Sequence, residues 1–147
     1  MKKTHFNILG FTICWVAIIT QFVLVIQNRQ TEIFETTIRF FSFFTILTNI
    51  LVVLFFTTQV FTKTKEYLSF LNSKSSLTAI TTFILVVGIV YQIVLRPIWN
   101  PQGLQKIVDE LLHTIIPFLL LIYWMLYVQK NELQLKSMLK WLLYPLI

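Results

Sequence analysis

The chain has 147 residues, 56% of them hydrophobic and only 12% charged, against about 25% charged in an ordinary globular domain, which leaves too little polar surface to solvate a compact ball. Its net charge of +6 is scattered between apolar runs and forms no contiguous basic face, which argues against nucleic acid as a partner. The single cysteine, Cys14, builds neither an intrachain disulfide nor a thiol metal cluster, and no metal or cofactor motif is present.

The apolar residues fall in long uninterrupted runs rather than amphipathic stripes, with Gly at 3 and Pro at 4. This predicts an all-α fold: a polytopic transmembrane helix bundle forming one domain over residues 1–147. The first run, residues 8–26, follows Lys2 and Lys3. It is too long for a secretory signal, and no small-residue cleavage site follows it. Further runs occupy residues 38–62, 77–95 and 111–128, each approaching the about 20 residues that cross a bilayer. Short polar stretches connect them at 27–37, 63–76, 96–110 and 129–137.

A fifth run starts near Met138, places Trp141 and Tyr144 where an interfacial aromatic belt sits, and stops at Ile147. Residues 138–147 make a partial fifth span, too short to cross about 30 Å of hydrocarbon, so the natural gene is expected to extend further. Lys2, Lys3, Lys63, Lys65, Lys74, Lys130, Lys136 and Lys140 lie on one side of the predicted bundle, and Arg29, Arg39, Arg96 and Lys106 on the other. That bias predicts a multi-pass protein with a cytoplasmic N-terminus and the 27–37 and 96–110 connections outside.

Polar side chains inside hydrocarbon cost free energy unless paired, so they direct the search for function. In the second run, at 100° per residue, Ser42, Thr45 and Asn49 fall within about 60° of one another, so one face of this helix is polar. An isolated Thr there often only bonds its own backbone, whereas a buried amide such as Asn49 needs partners. At the start of the fourth run, Lys106, Asp109, Glu110, His113 and Pro117 share a face of about 100° if the helix begins this early. Asp109 and His113 are four residues apart, near enough for the carboxylate to orient an imidazole as a general base does. A histidine that merely bonds another helix fits the same pattern. Tyr91 and Gln92 precede Arg96 by about a turn and reach a similar depth. The loop Arg96-Pro97-Ile98-Trp99-Asn100-Pro101-Gln102-Gly103 has turn chemistry and is expected to fold over this region, with Trp99 at the lipid boundary. Arg96 suits a carboxylate or phosphate, or an ordinary flanking cation.

Phe44-Thr45-Ile46-Leu47, and His113-Thr114-Ile115-Ile116-Pro117 preceded by Asp109-Glu110, resemble motifs of the androgen-induced-gene family of membrane hydrolases. The Trp99-Asn100-Pro101-Gln102-Gly103 loop looks like its bacterial branch of polytopic membrane proteins. The resemblance runs from about Arg39 to Tyr127. It implies hydrolysis of fatty acid esters by an intramembrane threonine, here Thr45, with an essential histidine, here His113, in a bacterial cytoplasmic membrane. Thr48 takes the nucleophile's place if the alignment slips by a turn. The implied substrate is a membrane lipid or lipid-like ester, with no cofactor and no metal. Neutral His113 can take a hydroxyl proton near neutral pH, and Asn49, Tyr91 or Gln92 are candidate donors to an oxyanion. Two other readings remain open: a small transporter or channel subunit with Asn49, Asp109 and His113 along a polar path, and a non-catalytic membrane scaffold or lipid-binding protein.

Overall fold

A computed structural model describes residues 2–146, and no strand forms among them. Helix α1 runs Lys3–Gln27, α2 Ile33–Ser42, α3 Phe44–Val60, α4 Thr62–Tyr67 and α5 Lys74–Val90. Helix α6 covers Gly103–Glu110, α7 Ile116–Tyr127 and α8 Leu135–Leu139. A π-turn, Tyr91–Leu95, extends α5, and a second, Leu111–Ile115, joins α6 to α7 without interrupting the rod.

Helix α1 packs along α3, α5 packs along α7, and α3 and α5 join the two pairs. The seam holds Cys14, Ala17, Val52, Phe56, Ile80, Ile84, Ile116 and Leu120, all fully buried. At Gly10 a side chain would put its Cβ 2.5 Å from the Phe56 ring, so the close approach of α1 to α3 requires glycine there. Unlike that of a water-soluble bundle, the exterior is apolar as well. Val16, Ile19 and Val23 on α1, Ile89 and Ile93 on the α5 rod, and Phe118 and Met125 on α7 face outward. Thr48, Asn49, Thr58 and Thr81 are buried between helices. Such an exterior is stable against lipid, and the interior hydroxyls close on nearby backbone carbonyls: Thr48 donates to Phe44, Thr58 to Phe55 and Thr81 to Leu77.

Three helices are long and apolar enough to cross a membrane: Lys3–Gln27, Lys74–Leu95 and Gly103–Tyr127. A fourth crossing exists only if α2 and α3, bent by 75° at their junction, count as one broken span. The all-α bundle expected from the apolar runs is therefore present, as a chain consistent with an integral membrane protein.

The run 38–62 is not one straight helix. Phe43 adopts an extended conformation (φ −71°, ψ 126°) between α2 and α3, and Phe61 is likewise extended after α3. No proline or glycine marks the break. Aromatic packing accompanies it: Phe40 is buried edge-on against Phe22 of α1, with centroids 5.1 Å apart, and against Phe41 at 5.2 Å. Consequently Ser42 and Asn49 do not share a helix face. Ser42 ends α2 with its hydroxyl on the Ile38 carbonyl, while Thr45 and Asn49 belong to α3. The stretch 63–76, read as a connection, contains α4 and a 3-10 turn at Ser69–Asn72. Residues 135–146 form α8 and a 3-10 turn, tied to α5 by the Trp141 indole N–H on the Ser76 hydroxyl, 3.2 Å; Ile147 lies outside the described residues.

Candidate functional site

The two π-turns face each other at one end of the bundle. A π-turn adds a residue to the helical repeat, shifts the side chains that follow it and recurs at functional sites. Here the first carries Tyr91 and the second His113, and their rings stack with centroids 4.2 Å apart and planes 14° from parallel. Gly88, a turn earlier on α5, lets the second π-turn come this close: a Cβ there would lie 3.0 Å from the His113 carbonyl oxygen and 3.3 Å from the Pro117 ring.

His113 Nδ1 lies 2.8 Å from the Asp109 backbone carbonyl. A carbonyl only accepts, so Nδ1 carries a proton, and in the neutral ring Nε2 keeps its lone pair. The orienting group is thus the Asp109 main chain and not its carboxylate, contrary to the four-residue spacing argument. The carboxylate is occupied elsewhere. It is buried and accepts from the Trp99 indole N–H at 2.7 Å and from Gln105 Nε2 at 2.8 Å; the Gln105 amide also reaches Gln21 Oε1 on α1 at 2.9 Å. Trp99, expected only at the lipid boundary, pins the 96–103 loop to this carboxylate while its ring stays half exposed.

On the other side of the turn a closed ring of polar contacts locks the two helices. Arg96 donates to Gln92 Oε1 and to Glu110 Oε1, the latter at 2.6 Å. Gln92 Nε2 donates to the Thr114 hydroxyl at 2.7 Å, which donates to Glu110 Oε2 at 2.9 Å. Arg96 therefore meets a carboxylate of its own chain, and Gln92 is held by Thr114.

A cavity of about 600 Å³ opens at this end. Tyr91, Asp109 and His113 line it from one side, and α1, α2 and their connection line it from the other with Arg29 and Arg39. Arg29 donates to the Ile26 carbonyl at 2.8 Å and makes no ion pair among the described residues, while Arg39 pairs with Glu35. In the sequence, Gln21 and Gln105 carry no assigned role, and Arg29 and Arg39 enter only through the charge bias and, for Arg39, as the edge of the resemblance. The available signals were Gln21 as a lone amide deep in an apolar run and the four-residue spacing of Gln105 and Asp109.

Thr45 and Asn49 stand behind this cavity, not on its wall. Asn49, fully buried, donates from Nδ2 to the Thr45 carbonyl at 2.9 Å and to the Leu112 carbonyl at 3.4 Å, which holds the Thr45 turn of α3 against the residue preceding His113. Its Oδ1 has no partner among the described residues. The Thr45 hydroxyl makes no hydrogen bond among the described residues, whereas Thr48 donates to Phe44 and meets the Tyr144 hydroxyl at 3.4 Å. Of the three candidate oxyanion donors, the amides of Asn49 and Gln92 are engaged. The Tyr91 hydroxyl has no hydrogen bond among the described residues. No group of three or more His, Cys, Asp or Glu side chains among the described residues is placed to hold a metal ion.

Comparison of this chain with protein-family models, with curated proteins and with solved structures found no match. The family resemblance therefore rests on the short motifs alone, and the function must be argued from the geometry.

Proposed function

We propose that this chain is a membrane-embedded hydrolase of lipid (fatty acid) esters, with His113 as general base and Thr45 as nucleophile. The observation that carries the reading is the state of His113: Nδ1 is tied to a carbonyl, the ring is held flat on Tyr91, and the residue borders a cavity of ligand size. Thr45 is supported over Thr48 because its hydroxyl alone of the two is not already given to the helix backbone. In the reaction Nε2 accepts the Thr45 hydroxyl proton as Oγ1 attacks the ester carbonyl. The same proton passes to the departing alkoxide; Nε2 then deprotonates the water that attacks the acyl-threonine and returns that proton to Thr45 Oγ1 as the fatty acid leaves. The Thr45 hydroxyl and the His113 ring share no hydrogen bond among the described residues, so attack requires the two to approach each other.

One observation favours a second reading, a lipid-binding protein without chemistry: Thr45 is not on the cavity wall. Purified protein in lipid nanodiscs, given a long-chain fatty acid ester, separates the two. Hydrolysis by the wild type that is lost in His113→Gln supports the enzyme. A folded wild type that releases no fatty acid from any ester overturns it.

The same proposal places the protein in a bacterial cytoplasmic membrane with four crossings, α2 and α3 forming one broken span, and the N-terminus inside. The cavity then opens near the outer interface. Impermeant thiol labelling of single cysteines at 30 and 100, in a Cys14-free background, should succeed from outside; labelling only at 65 reverses the topology.

A further inference from the structure

Beside the cavity lies a second hollow of about 330 Å³ between α1, α2 and α3, beneath the bend at Phe43. Only apolar side chains line it, among them Ile19, Phe22, Ile50 and Leu54; the Trp15 indole N–H is turned away to Thr57. Phe40 lines both hollows. Phe40, 1% exposed, is thus common to a space lined by Arg29, Arg39 and, on its far side, Asp109, and to a space with no polar lining. Ile19 and Phe41, about half exposed, mark the groove's edge on the outward apolar face.

We infer that the cavity and the groove together bind one amphiphile: an anionic carboxylate or phosphate head between Arg29 and Arg39, and a single acyl chain running past Phe40 into the groove. Charge complementarity fixes the head. Arg29 uses one guanidinium N–H on its own helix and lacks an ion-pair partner among the described residues, and the Arg39–Glu35 pair is exposed at its surface, where such pairs contribute little and exchange partners readily. A guanidinium fork suits an oxyanion that accepts two hydrogen bonds. Position fixes the chain: a head held at these arginines has the groove as its apolar neighbour. Both hollows fall in the range of about 300–1,000 Å³ typical of ligand sites. This inference stands on the two hollows and their shared residue, independently of hydrolysis.

The test uses probes that carry no ester. Binding of oleate, of a long-chain alkyl phosphate and of neutral oleyl alcohol is measured on the full chain in nanodiscs of zwitterionic lipid. The wild type should bind at least one anion saturably and about tenfold tighter than the alcohol, and the stronger of the two anions identifies the head. Arg29→Gln should remove most of that preference while leaving the alcohol unchanged. Ile19→Trp, at an exposed edge where folding is little affected, should shift the preferred chain to a shorter one. Equal binding of anion and alcohol by the wild type overturns the inference. So does binding that ignores both variants, which would mean bulk lipid filling the groove. Because no probe can be hydrolysed, either result leaves the ester assay to stand or fall alone.

Discussion

The imidazole of His113 lies against the ring of Tyr91 at a centroid distance of 4.2 Å, and each ring is presented by a π-turn of its own helix. Stacking fixes the plane of the imidazole, and the Asp109 carbonyl fixes its rotation within that plane. Tyr91 thus has two separable parts, a ring that supports the imidazole and a hydroxyl without a hydrogen bond among the described residues. Tyr91→Phe should keep the stack and the fold. If the hydroxyl stabilises the oxyanion, kcat should fall by about 10²–10³ with KM little changed. Tyr91→Leu removes the stack as well and should be no more active than Tyr91→Phe. Steady-state kinetics on both variants, with thermal unfolding as a control, checks this; a fully active Tyr91→Phe assigns the hydroxyl no role.

Asp109→Asn probes the carboxylate apart from the main chain that holds His113. The asparagine amide has one acceptor oxygen where the carboxylate has two, so either Trp99 or Gln105 loses its bond. The expected cost is about 1–3 kcal/mol for the unpaired buried group, concentrated in the 96–103 loop. Trp99 fluorescence should shift and the loop should become a protease site, while the helical content of the bundle is kept. Unchanged fluorescence and protease resistance would show that the carboxylate does not hold the loop.

Two glycines allow close approaches of opposite meaning. A Cβ at Gly10 collides with the Phe56 ring at 2.5 Å, far from the cavity, whereas one at Gly88 presses on the His113 carbonyl at 3.0 Å and on Pro117. Each alanine overpacks a helix seam at a cost of about 1–3 kcal/mol. Gly10→Ala should lower the unfolding temperature and spare activity in the protein that remains folded. Gly88→Ala should lose activity beyond its loss of stability, because the π-turn carrying His113 must move. Specific activity normalised to folded protein separates the two.

The long apolar helices were legible because a bilayer selects for uninterrupted hydrophobic runs, and Lys3–Gln27, Lys74–Leu95 and Gly103–Tyr127 correspond to three of them. Less legible was the break at Phe43. Phe40, Phe41, Phe43 and Phe44 read as one apolar stretch, and the contact of Phe40 with Phe22 beside the bend lies on another helix, out of reach of local sequence. The π-turns were hidden for a related reason: an added residue has no compositional mark, so facial angles computed at 100° per residue fail beyond Leu111. The link between Asp109 and His113 runs through the Asp109 main-chain carbonyl, which side-chain spacing does not reveal. Arg29 was hidden too, since a cation ending a membrane helix looks the same whether it faces headgroups or a cavity.

The Arg96–Glu110–Thr114–Gln92 ring ties α5 to the second π-turn through partly exposed groups, with side-chain exposures of 53% and 30% for the ion pair. Exposed pairs contribute about 0–1 kcal/mol, so Glu110→Gln should lower the unfolding temperature only slightly. Its larger effect should be on the Tyr91–His113 stack, read as an increase in KM and a drop in kcat together. The exchanged pair Arg96→Glu with Glu110→Arg should recover part of the loss. Failure of the exchange to recover anything would mean that Gln92 and Thr114, not the ion pair, hold the turn.

The proposed nucleophile gives the sharpest test. Thr45 and Thr48 are one helical turn apart on α3, and the hydrogen bonds separate them: Thr48 gives its proton to the Phe44 carbonyl, while Thr45 is uncommitted on a turn anchored to Leu112 by Asn49. A hydroxyl bonded to its own backbone must break that bond before a base can take its proton, which adds about 0.5–1.5 kcal/mol to any attack by Thr48. Thr45→Ala should therefore lower kcat by about 10³-fold or more, His113→Ala by a similar factor, and the double variant by little more, because a nucleophile and its base act as a unit. Thr48→Ala should stay within about tenfold of the wild type, its effect being confined to the helix and to the Tyr144 contact. A serine/threonine-directed fluorophosphonate gives an independent readout: it should label the wild type and Thr48→Ala, and neither Thr45→Ala nor His113→Ala. Labelling that survives Thr45→Ala and disappears in Thr48→Ala moves the nucleophile by one turn. Ester hydrolysis that survives both alanines but requires His113 replaces the acyl-enzyme with direct attack by a water that His113 activates in the cavity.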